Sequence, residues 1–138
     1  MLNYLYVAIG SAVGGLARFV VGTWLQRRLD DFIPRNGGVL PFPVGTLIVN
    51  VTGSFLLGVI LVMVARQGEH ANATRLLLAV GLCGGYTTFS TFTADTVGLV
   101  EGGGASLAVV NVLASVGLGL LAVFTGAAVA RMALARLG

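Results

Sequence analysis

The chain has no lysine and little charge of either sign: eight arginines and five acids among 138 residues, 9% in all, where globular chains carry about 25%. So few ionised groups cannot coat a soluble domain of this size. A soluble fold, a disordered tail and a nucleic-acid binder are excluded, and the excess of arginine reads as membrane flanks and loop anchors. One cysteine, Cys83, allows no intrachain disulfide. No His/Cys/Asp/Glu group has metal-ligand spacing, no glycine loop is built to cradle phosphate, and no nucleophile has a plausible base, so an enzyme is not expected.

What fills the chain is apolar. Hydrophobic residues make up 57% and glycine accounts for 21 positions; mean hydropathy is +0.97. A helix crosses hydrocarbon with about 20 mostly apolar residues. Four runs qualify: residues 2–25, interrupted only by Arg18; 44–65 and 105–130, both uncharged; and 76–100, which is polar in its middle. The fold class is therefore an all-α integral membrane protein with four transmembrane helices in a single domain, 1–138. The first run lacks the basic start and short apolar core of a cleaved leader. The connections are an irregular loop from Gln26 to Pro43, a polar loop from Arg66 to Thr74 in which His70 is solvated, and a tight turn, Glu101 to Gly104.

Four spans place both termini on one side. That side carries Arg66, Arg75, Arg131 and Arg136; the other carries Arg27, Arg28 and Arg35. Four against three is almost no bias under the positive-inside rule. Two readings stand: a weak preference for cytoplasmic termini, or insertion both ways with pairing to an inverted copy. The latter gives two chains the symmetry that many transporters hold within one.

Residues four apart share a helix face. The first span aligns Gly10, Gly14, Arg18 and Gly22, so Arg18 lies on a small-residue face suited to close packing. It either snorkels to the interface or serves as a structural or vestibule cation. The second span aligns Thr46, Asn50 and Ser54, and the fourth aligns Asn111, Ser115 and Gly119. Asn50 and Asn111 are open to two roles, interhelical hydrogen bonding or donation to a passing anion.

In the third span Gly84 and Gly85 precede Tyr86-Thr-Thr-Phe-Ser-Thr-Phe-Thr93, where five of eight residues carry a Thr or Ser hydroxyl. Paired glycines and crowded β-branched residues are poor helix formers, so the helix is expected to break between Gly84 and Thr88, near mid-membrane. Broken backbone at that depth survives only inside protein or at a cavity. Phe89 and Phe92 follow, as core aromatics or as rings whose positive edges favour a desolvated anion. Asp95 can pair with an arginine, cap a neighbour or exchange a proton.

The run Gly81-Leu-Cys-Gly-Gly-Tyr-Thr-Thr-Phe-Ser-Thr-Phe92 resembles the signature of the fluoride ion channel family (Fluc, also called CrcB). Gly14-Gly-Leu-Ala-Arg18-Phe19 is similar to the family's first-span motif. Gly45-Thr-Leu-Ile-Val-Asn50 with Gly53-Ser-Phe-Leu-Leu-Gly58 is similar to its second. Length, span count and flat charge bias agree, so the resemblance covers the whole chain.

That resemblance implies an antiparallel, dual-topology homodimer in the cell inner membrane or plasma membrane. Two pores would pass fluoride passively and so lower cytoplasmic fluoride. It implies a structural sodium ion (Na+) at the dimer centre, held by the backbone carbonyls of Gly84 and Thr87. By motif position it places Asn50, Phe89 and Phe92 on the fluoride pathway, with Thr88, Ser90, Thr91 and Ser115 as hydroxyl donors and Arg18 as the first-span arginine. Gly119 stands where a hydroxyl would have extended the fourth-span track. The chain's partners would then be fluoride, membrane lipid and a second copy of itself. The rival reading is a small four-span, proton-coupled efflux transporter. Such a protein needs a carboxylate in its first helix, where this chain has none; Asp95, in the third, is its only in-span acid.

Overall fold

A computed structural model describes residues 1–30, 42–68 and 71–136. Six α-helices and one wide-turn segment make four spans. Helix α1 is Leu2–Asp30 and α2 is Val44–Ala65. The third span, Ala71–Glu101, starts as α3 (Ala71–Thr74) and widens into a π segment (Arg75–Cys83). It closes its first half with α4 (Gly84–Tyr86) and resumes as α5 (Phe89–Glu101). Helix α6 is Ala105–Ala135. All four spans are long and apolar enough to cross a bilayer.

The ends differ from hydropathy alone. Helix α1 continues through Gln26 to Asp30, where a loop was expected, and Arg27 and Arg28 in its last turn suit the negative pole of a helix C-terminus. The third span begins at Ala71 and the fourth reaches Ala135. Most of the expected irregular loop (31–41) and His70 (69–70) lie outside the described residues. The turn into α6 is as tight as expected: Gly103 adopts φ +81°, and Gly104 N–H returns to the Leu99 carbonyl at 2.8 Å.

Glycine sets how closely the spans approach. A methyl on Gly10 or Gly14 would strike the carbonyl of Leu77 or Leu82, so the first part of α1 lies backbone to backbone on the π segment. Farther along α1, a methyl on Gly45 of α2 would strike the carbonyl of Gly22. Helices α2 and α6 interlock reciprocally, Gly58 against the Val123 carbonyl and Gly126 against the Phe55 carbonyl. Without a hydrophobic drive between helices in lipid, such close contact is what holds spans together. Gln26 pins the start of α2, accepting from Gly45 N–H at 3.0 Å and donating to the Phe42 carbonyl at 3.2 Å.

Burial departs from that of a soluble protein chiefly in what lies outside. Thr88 and Asn111 are buried, whereas Leu16, Phe19 and Val20 of α1 and Leu113, Leu121 and Phe124 of α6 are exposed. That surface fits lipid, not water.

Gly14→Val and Gly58→Val should each cost about 3 kcal/mol, the upper end of ordinary overpacking. They should lower the yield of monodisperse protein in mild detergent. Gly117→Ala, where an added methyl meets nothing within 4 Å, should leave that yield unchanged.

Candidate functional site

The third span breaks where expected. Thr87 (φ −82°, ψ 158°) and Thr88 (φ −149°, ψ 116°) are extended, the conformation β-branched residues favour. The peptide groups of Thr87 and Thr88 are taken up. Thr88 N–H donates to Asn50 Oδ1 at 2.7 Å, and Asn50 Nδ2 donates to the Thr88 carbonyl at 3.0 Å. One side-chain amide thus replaces the missing turn of helix. The Thr87 carbonyl accepts from Arg18 Nη1 at 3.3 Å, while Thr87 N–H and Oγ1 both donate to the Cys83 carbonyl at 2.9 Å. Arg18 therefore reaches into protein at the break. Thr88 N–H would return to the Gly84 carbonyl in an unbroken helix; here it does not, so that carbonyl loses its partner from four residues on.

Helix α5 restarts under a threonine cap. Thr88 Oγ1 accepts from Thr91 N–H at 3.2 Å, donates to Thr91 Oγ1 at 3.0 Å and pairs with Ser90 Oγ at 3.2 Å. The hydroxyls of Thr88, Ser90 and Thr91 form one cluster at the positive pole of α5.

Two cavities meet at Thr88. The smaller, about 320 Å³, is bounded by Asn50, Ser54, Gly84, Phe89, Phe92 and Ser115. Phe92 is 8% exposed and Phe89 76%; their centroids lie 5.5 Å apart with planes tilted by 48°. The larger, about 650 Å³, includes Arg18, Thr46, Thr91 and Asp95. Asp95 Oδ2 accepts from Thr46 Oγ1 at 2.7 Å. Arg18 and Asp95 thus share a cleft, but no ion pair joins them among the described residues.

The sequence-predicted residues therefore gather around one break: Arg18 from α1, Asn50 from α2, Gly84 to Phe92 from the third span and Ser115 from α6. The α2 stripe Thr46–Asn50 meets Asp95 and Thr88 in antiparallel order. A four-residue step on α2 facing a seven-residue step on the third span is the signal that would have paired them. Sequence reasoning missed Thr96. Asn111, 1% exposed, donates to Thr96 Oγ1 at 2.9 Å, and Thr96 donates to the Phe92 carbonyl at 2.7 Å. Asn111 is thus interhelical glue, and it holds the backbone that carries Phe92. Tyr86 adds a bond to Thr52 at 3.1 Å.

These features define a multi-pass helical membrane protein whose polar groups converge on a broken span. Residues 5–127 match the family model described as "CrcB-like protein, Camphor Resistance (CrcB)", and the chain belongs to that family. It is 40% identical to a protein of Agrobacterium fabrum and 42% identical to one of Rhizobium leguminosarum bv. trifolii, each over 131 residues, 95% of this chain and 98% of the relative. A Roseiflexus protein is 40% identical over the same shares. All three bear the name "Fluoride-specific ion channel FluC".

Asn50→Val removes both bonds to Thr88 and leaves two peptide groups without partners, which should cost about 2–4 kcal/mol. The midpoint of thermal unfolding in detergent should fall well below that of the unaltered protein. An unchanged midpoint would show that Asn50 does not carry the break.

Proposed function

We propose that the chain is a fluoride-selective channel that lets the ion run down its electrochemical gradient and so lowers cytoplasmic fluoride. The observation that carries this reading is the smaller cavity. It brings together the Asn50 amide, the Ser115 hydroxyl and two phenylalanine rings beside a helix N-terminus. Fluoride is small and strongly hydrated, so a pathway must replace part of its water shell. Neutral amide and hydroxyl donors do that, and ring edges add a weak positive potential. Asn50 keeps one N–H beyond the one given to Thr88. No lysine is present, and Arg18 turns to the Thr87 carbonyl, so among the described residues no cationic side chain lines the small cavity as a trap. The efflux-transporter reading rests on Asp95, which sits in the other cleft, bound to Thr46; family membership favours the channel.

The working unit in this reading is an antiparallel, dual-topology homodimer. The near-even arginine count supports it, as does the exposed ring of Phe89, which this protomer does not cover. A structural sodium ion fits the break. The Gly84 carbonyl has lost its helical partner, the Thr87 carbonyl carries one long bond and keeps a second lone pair, and both are hard oxygen donors. Gly84 and Thr87 of two symmetric copies would supply four oxygens. The bound ion would supply a fixed positive charge, which favours anions.

Purified protein in liposomes should release fluoride and retain chloride once the membrane potential is shunted; equal chloride release would refute selectivity. Phe92→Ile should slow fluoride release at least tenfold, about 1.4 kcal/mol of barrier, with the chain still folded. C-terminal tags should be found on both faces of the membrane in similar amounts, and one-sided labelling would defeat dual insertion.

A further inference from the structure

Hydroxyls on membrane helices ordinarily bond back to their own helix, because hydrocarbon offers nothing else. Thr52, Thr87, Thr96 and Thr125 do this, each donating to the carbonyl four residues earlier, and Thr93 donates to the carbonyl of Ser90. Ser54 and Ser115 do not. Neither has a hydrogen-bond partner among the described residues, yet no fully enclosed side-chain oxygen or nitrogen there lacks one. Both serine oxygens are therefore open to the space beside them, and that space is the cavity that Phe89 and Phe92 also line. Ser54 comes from α2, one turn beyond Asn50, and Ser115 from α6. Opposite Ser54 stands Gly119. A methyl on Gly119 would lie 3.8 Å from Ser54 Oγ and meet nothing else within 4 Å. The absent side chain leaves the approach to the hydroxyl clear.

We propose that Ser54 is an anion-binding residue of the channel, donating its hydroxyl to partly dehydrated fluoride across the cavity from Ser115. The proposal rests on the fluoride-channel reading and adds a donor to it. Ser54 and Asn50 then offer successive donors on one face of α2.

The test is fluoride release from liposomes holding wild-type protein, Ser54→Ala, Ser54→Thr and the double variant Ser54→Ala/Gly119→Ser, each checked for elution as intact protein. Ser54→Ala should slow release about tenfold or more, the scale of one hydrogen bond to an ion. Ser54→Thr should retain release because it keeps the hydroxyl. The double variant, which returns a hydroxyl from α6 beside the position that Ser54 Oγ vacates, should recover at least part of the lost rate; a purely structural serine would not be rescued this way. Release from Ser54→Ala equal to that from wild type overturns the role of Ser54 alone, as does slow release from both Ser54→Ala and Ser54→Thr with no recovery in the double variant. Failure of wild-type vesicles to release fluoride overturns the channel reading and, with it, this inference.

Discussion

Hydrocarbon does not tolerate a peptide group without a partner, and the two extended residues of the third span free several. The side chain of Asn50 meets this constraint by standing in for a turn of helix against Thr88. Arg18 meets it again at the Thr87 carbonyl. Both residues must come within hydrogen-bonding reach of a neighbouring backbone, which only closely packed spans allow. The glycine contacts of α1 with the π segment and with α2 therefore serve the break as well as the bundle.

A break held open in this way sets opposite helix poles side by side. The first half of the third span ends in carbonyls, Gly84 among them, and the second half starts with N–H groups under the Thr88 cap. Carbonyl ends suit a cation and N–H ends suit an anion. The side chains around the small cavity extend this logic without full charges. Amide, hydroxyl and ring edge attract an anion gently, whereas a buried ammonium would hold it. Asn111 acts one step away from the cavity, fixing the Phe92 carbonyl through Thr96.

The spans and the position of the break were legible because each has a local cause: long apolar runs for the first, Gly84-Gly85 and Thr87-Thr88 for the second. Span ends were not, since hydropathy falls before the helix does; Gln26, Arg27, Arg28 and Asp30 are polar yet helical. Nothing in the composition of Arg75–Cys83 announces its wide turns. The site was legible as a set of residues and less so as a set of bonds. Stripe spacing placed Asn50 toward the interior but left its partner open, and the partner proved to be the Thr88 backbone rather than a side chain. Arg18 and Asp95 invited pairing as the opposite charges of two apolar spans, but each is bonded elsewhere.

Phe89 and Phe92 are neighbours with different surroundings, one enclosed by its own chain and the other bare. In the proposed pair the bare ring needs a wall from the second copy. In that arrangement a newly inserted chain would hold half a conduit and would not drain a gradient while it drifts in search of a mate. Under the proposed pairing, assembly itself would be the safety catch, keeping the membrane tight until two chains had met.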